Sequence, residues 1–241
     1  MKLSDILGRA FRVYYRHPAT LFLVAAPTIP LGITTILVSA SFADLWVLTV
    51  VILPIASGVP SLVVVAALVR AVADALEGTA PDFWRSYGAV VSRLGSVVLA
   101  ALRFEITVQA LTIVGVGIPL AAYLFTRWFF FPQAIMLEGK RAGEALKRSG
   151  DLVSGSWWRV FGITLLIAVI SAAPTVFVSF VVFPGPPGGF GGLGLLSPPA
   201  GVSATVTSVI GALMLPFAAG AETILFFDLS GRHARAAVAA S

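Results

Sequence analysis

Long apolar stretches recur along the chain, and the charged residues gather between them. Six of these stretches approach or exceed the roughly 20 residues a helix needs to cross hydrocarbon. They lie near 19–41, 45–69, 95–114, 117–137, 160–183 and 201–227. Ahead of the first, Leu3, Ile6, Leu7, Ala10, Phe11 and Tyr14 recur at helical spacing, with Lys2, Asp5, Arg9, Arg12 and Arg16 elsewhere around the helix. Residues 1–18 therefore predict an amphipathic helix resting on the membrane surface, or else a plain extension of the first span. Pro27, Pro30, Pro54, Pro60, Pro119, Pro174 and Pro216 fall within the spans and predict kinks, which membrane bundles accept when neighbours re-satisfy the freed carbonyls. Amphipathic stretches with an early acid recur at DILGRAFRVYYR, DFWRSYGAVVSR and EALKRSGDLVSG. Each precedes a pair of spans, so a triplicated unit of surface helix plus hairpin is one expectation, and similar needs at each entry point are the alternative.

Composition sharpens this to a single integral membrane domain over 1–241. The 241 residues are 58% hydrophobic and 11% charged, with a mean hydropathy of +0.98, whereas a soluble domain is about 25% charged. A net charge of +5 would suit nucleic acid if it were spread over a soluble surface. Here the positions of the charges decide otherwise. Lys2, Arg9, Arg12 and Arg16 precede the first span; Arg70, Arg85 and Arg93 lie between the second and third. Lys140, Arg141, Lys147, Arg148 and Arg159 lie between the fourth and fifth, and Arg232 and Arg235 follow the sixth. The opposite connections, around Ala43-Asp44, around Gly115-Val116-Gly117 and from Pro184 to Pro199, hold no Lys or Arg. Positive residues are retained on the cytoplasmic side, so both termini are expected there, with anionic lipid headgroups as partners and no nucleic acid. The excess of arginine over lysine, with abundant Ala, Val and Gly, points to a prokaryotic inner membrane. Val38-Ser39-Ala40 resembles a leader cleavage site, but the preceding apolar run is long and holds two prolines, which favours an uncleaved first span. There is no cysteine, hence no disulfide and no thiolate metal site. The Gly- and Pro-rich segment 184–199 predicts an irregular external loop.

No nucleotide loop, zinc motif or nucleophile elbow stands in its required context, so no catalytic residue, metal site or cofactor is expected. His17 and His233 sit at span ends as interfacial side chains. Trp46, Trp84, Trp157 and Trp158 suit the interfacial belts. Arg9, Arg12, Arg16, Lys147, Arg148, Trp157, Trp158 and Arg159 are the candidate headgroup and interface contacts. Trp128 lies deeper among Phe125, Phe129, Phe130 and Phe131, as packing or as the wall of a groove. Four ionisable residues fall inside apolar spans: Arg103, Glu105, Arg127 and Glu222. An unpaired charge at a helix centre costs about 2.5–3.5 kcal/mol, so pairing is expected. Glu105 and Arg127 are equidistant from Val116, which predicts a buried ion pair across the hairpin, with Arg103 reaching towards Glu222 or the interface. Whether these charges are structural or mark a substrate path stays open.

The segment FFFPQAIMLEGKRAGEALKRSGDLVSGSWWRVFGITLL, 129–166, with ILFFDLSGRH from Ile224 to His233, resembles the membrane domain associated with glycerophosphoryl diester phosphodiesterases. Allied families of uncharacterised bacterial membrane proteins share this look. In two-part members the chemistry belongs to a separate soluble barrel with paired histidines and a divalent metal. The resemblance thus implies a membrane domain without hydrolase activity. The expectation is an all-α bundle of about six transmembrane helices, non-catalytic, that organises lipid, a partner protein or a second copy of itself. The competing expectation is a transporter or channel for a small or lipid-like solute.

Overall fold

The computed structural model describes residues 3–115, 117–181 and 200–240, with side chains placed to 180 in the second stretch and over 201–235 in the third. The described chain is all α-helical. Helices α1 (Leu3–Arg16), α2 (Pro18–Ala25), α3 (Thr28–Ser41) and α4 (Leu53–Leu76, entered through a π-helical turn, Leu48–Ile52) are followed by α5 (Phe83–Val91), α6 (Leu94–Ile113), α7 (Ile118–Trp128) and α8 (Phe131–Glu138). Helices α9 (Ala142–Val153), α10 (Trp157–Val181) and α11 (Ala200–Ala240) complete the order. Among the described residues five helical stretches are long and apolar enough to cross a membrane: Leu48–Leu76, Leu94–Ile113, Ile118–Glu138, Trp157–Phe180 and Gly201–Arg235. A sixth crossing is available if α2 and α3, bent by 44°, form one span. The expected loop over 184–199 lies outside the described residues.

Three short amphipathic helices punctuate the bundle, and each docks on longer helical stretches. Helix α5 packs on α4, α9 on α8 and on α7, and α1 on α11. Their apolar positions face inward: Ile6 and Ala10 of α1, Val90 of α5, and Ala145, Leu146, Leu152 and Val153 of α9 are buried. The core lies at this same end. It joins Leu21, Val24 and Ala25 to Leu68 and Val72 of α4, Val97 and Phe104 of α6, Phe131 and Ile135 of α8, and Leu225 and Phe226 of α11. Towards the other end Ile52, Ile106, Ile113, Val169, Val176 and Phe177 are exposed, an apolar belt that hydrocarbon would cover. Small residues let α3 and α11 approach closely: a Cβ on Gly32 would stand 2.6 Å from Ser208 Oγ.

Backbone at three of the bends and breaks is met by side chains, as a spanning segment requires. Proline cannot donate to the carbonyl four residues earlier, and Pro54 accordingly follows Val50, whose oxygen accepts from Gln109 Nε2 at 2.7 Å. At the α2–α3 bend Tyr87 Oη donates to the Val24 oxygen at 2.9 Å and Thr28 Oγ1 to Ala25 at 2.7 Å. Burial of the Tyr87 phenol pushes its pKa up to about 12, which keeps it a donor. The fourth expected span breaks at Phe129–Phe130, because Pro132 in the first turn of α8 cannot continue α7. Ser149 of α9, fully buried, closes this break: its Oγ accepts from Phe130 N at 3.0 Å and donates to the Arg127 oxygen at 2.8 Å. The second span runs on to Leu76, seven residues past its expected end, because Arg70 and Asp74 neutralise each other one turn apart at 2.7 Å. The sixth likewise continues past 227 as a helix to Ala240.

Candidate functional site

The charges at the core end divide into those consumed by the fold and those left over. Asp74 on α4, 2% exposed, holds Arg70 and also Arg85 of α5, whose Nε lies 3.1 Å from Oδ2. Helix α5 itself starts where the Asp82 carboxylate accepts from Arg85 N at 2.8 Å, a side-chain N-cap. The next junction repeats this arrangement. Glu138 at the end of α8 takes a two-pronged bond from Arg148 of α9, Nε to Oε2 and Nη2 to Oε1 both at 2.9 Å. That bond to the carboxylate raises the Arg148 pKa, so the guanidinium stays charged. Both α4 and α8 end on Leu-Glu-Gly, with Gly78 at φ 82° and Gly139 at φ 70°, left-handed conformations that favour glycine as a helix stop. Arg93 supports the second stop by donating Nη1 to the Ile135 and Met136 oxygens, at 2.5 and 2.7 Å. Such pairs fix where α5 and α9 dock.

The third junction, between α1 and α11, differs. Asp228 on α11 engages Arg232 at 3.0 Å and Arg159 of α10 at 3.7 Å. Arg9, Arg12 and Arg16 are exposed on α1, and none forms an ion pair with another described residue. Lys147 is exposed on α9, Trp158 is 78% exposed, and Trp157 is held by its Nε1 to the Tyr123 oxygen at 3.3 Å. Of the expected headgroup contacts, then, Arg148 and Arg159 are taken up by carboxylates, whereas Arg9, Arg12, Arg16, Lys147 and Trp158 remain outward. His233 is an inter-helix tie, its Nε2 3.2 Å from the Leu152 oxygen. No cluster of metal-ligating side chains occurs among the described residues.

The expected Glu105–Arg127 ion pair is not formed. Equal depth does not set the direction around the helix axis, and the two side chains face different neighbours. Glu105 lies against Gly58 of α4, where an added Cβ would stand 2.6 Å from Oε1. Arg127 turns to α9: a Cβ on Gly150 would stand 2.8 Å from its Nε, and its Nη1 lies 3.3 Å from Tyr123 Oη. Arg103 likewise runs to α9, where Nη1 would lie 3.5 Å from a Cβ on Gly143. Both arginines thus run to the amphipathic helix α9. Glu105 and Glu222 are left partly buried without an ion pair among the described residues, and Gln133, 1% exposed, has neither amide atom bonded. Trp128 packs against the core as a half-buried ring. Sequence reading passed over Asp74, Ser149 and Gln133 and counted Arg93 only as a positive charge between spans; only Asp74 left a local signal, the Arg70-x-x-x-Asp74 spacing.

Long apolar helices, bends satisfied from neighbouring elements and basic amphipathic helices at one end define a polytopic α-helical protein of membrane type. Over residues 1–228 the chain matches the family described as a domain of unknown function, DUF7847, and it belongs to that family. Comparison with curated proteins and with solved structures finds no match.

Proposed function

We propose that this chain is a non-catalytic protein of a prokaryotic cytoplasmic membrane, with both termini and its three amphipathic helices on the cytoplasmic side, where it organises anionic lipid. The observation that carries the reading is the exposed arginine face of α1, which forms no ion pair with another described residue, together with outward Lys147 on α9 and Trp158 on α10. A guanidinium without a protein carboxylate at an interface suits a phosphate headgroup. The likeness of 129–166 to the membrane domain associated with phosphodiesterases agrees with a membrane role without hydrolysis. The amphipathic helices docked on the bundle, with Leu76-Glu77-Gly78 and Leu137-Glu138-Gly139 at equivalent helix exits in two of the units, support a triplicated origin. The test is lipid analysis of protein purified in mild detergent. Enrichment of anionic lipid over the bulk membrane supports the reading, and a lipid profile identical to the bulk overturns it.

A second reading, a transporter for a small or lipid-like solute, is favoured by one observation: Glu105 and Glu222 stand within apolar spans without an ion pair among the described residues. Solute or proton flux in proteoliposomes that is lost in Glu105→Gln would support it, and flux indistinguishable from empty vesicles would reject it.

A further inference from the structure

Two of the three junctions between a short amphipathic helix and the long helix it docks on are closed by an acid–arginine pair, Asp74–Arg85 and Glu138–Arg148. At the third, the acid of the long helix, Asp228, is committed to Arg232 and Arg159. Arg9 occupies the place on α1, four residues after Asp5, that Arg148 occupies after Glu144 on α9. It is left without a carboxylate. In place of a pair there is a groove of about 390 Å³, walled by Arg9 of α1, Leu76 of α4, and Phe227, Asp228, Gly231 and Arg235 of α11. Two of its walls are apolar and open to the surroundings: Leu76 is 37% exposed and Phe227 45%. Its floor is open at Gly231, where an added Cβ would meet nothing within 4 Å.

We propose that this groove binds one anionic phospholipid, with the phosphodiester between the Arg9 and Arg235 guanidiniums and the start of an acyl chain along Phe227 and Leu76. Charge complementarity selects this occupant. Two guanidiniums that pair with no described residue face the groove, and the single carboxylate in its wall already carries two arginines. Free phosphate would satisfy the arginines but leave the two apolar walls uncovered, whereas a lipid meets both, since headgroup and chain adjoin as these walls do. The bound lipid would do at the third junction what carboxylates do at the other two, tying α1 to the bundle. The inference rests on the lipid-organising reading and assigns it a site.

The experiment is native mass spectrometry of the full chain in detergent, titrated in parallel with phosphatidylglycerol, phosphatidylcholine and inorganic phosphate. Wild type is expected to take one phosphatidylglycerol in preference to phosphatidylcholine, with phosphate failing to displace it. Arg9→Gln with Arg235→Gln should weaken that binding at least about tenfold, the scale of losing charge-assisted bonds, while the exposed Lys140→Gln leaves it unchanged. Gly231→Leu keeps every charge and fills the groove, so it should abolish the first binding event even if the arginine variant proves poorly folded. Phosphatidylglycerol retained by Gly231→Leu, or by the folded arginine variant, overturns the site while leaving the lipid-organising reading in place. Displacement by millimolar phosphate overturns the lipid assignment. No preference in wild type overturns both readings.

Discussion

Replacing Ser149 with alanine removes one hydroxyl from a fully buried position and strands two backbone groups, the Phe130 N–H and the Arg127 carbonyl. A buried polar group left unsatisfied costs about 1–3 kcal/mol. Hydrogen bonds in membrane proteins have measured closer to 0.6 kcal/mol because the unfolded state in detergent or lipid finds partners too. Ser149 sits on α9 against the end of α7, so the two figures bracket it, and a loss of about 1–3 kcal/mol is expected for the two groups together. For a chain of this size each kcal/mol moves the thermal midpoint by about 2–4 °C, which gives a drop of roughly 2–12 °C. The assay is thermal unfolding of detergent-purified protein followed by fluorescence-detected size exclusion. Ser154→Ala is the control, since the Ser154 hydroxyl is exposed and bonds only its own helix at the Asp151 oxygen. Equal midpoints for Ser149→Ala and Ser154→Ala would refute the account of how the fourth span is broken and held.

The Glu105→Gln and Arg127→Gln losses should add to within about 0.5 kcal/mol, because the two side chains face different helices; coupling above about 1 kcal/mol in a double-mutant cycle would restore the ion pair rejected above. Gly58→Ala should displace the Glu105 carboxylate without unfolding the bundle, measured as unchanged monodispersity with altered accessibility of Glu105 to carbodiimide. Burial raises the Tyr87 pKa from 10.0 to about 12. Between those values the folded state holds a proton that the unfolded chain has released, so the Tyr87 contribution is whole below pH 10 and declines as pH rises towards 12. Tyr87→Phe should flatten that part of the stability–pH curve, and an unchanged slope would show that the phenol does not hold the α2–α3 bend.

Hydrophobic period and length made the long helices legible, since a 20-residue apolar run admits few other structures. The three short amphipathic helices were legible too, from the buried stripe of Ile6 and Ala10 and its counterparts. What escaped was anything decided by direction around a helix axis. Glu105 and Arg127 share a depth, yet Gly58 and Gly150 open space for them on different helices. Arg148 and Arg159 looked like their neighbours on a basic segment, but Glu138 lies ten residues from the first and Asp228 sixty-nine from the second, so only packing reveals their pairing. Ser149 carries no local mark at all. Its role exists because Pro132 breaks a helix packed beside it.

The most direct test of a membrane bundle with its basic end inward uses the absence of native cysteine. Asp44 and Ser154 are both exposed, one in the connection between the first two spans, which holds no Lys or Arg, and the other at the end of α9. Single cysteines at these positions are probed in intact cells with a membrane-impermeant maleimide. The account predicts that Asp44→Cys is labelled at once and Ser154→Cys only after permeabilisation. The reverse pattern, or labelling of both in sealed cells, would contradict it.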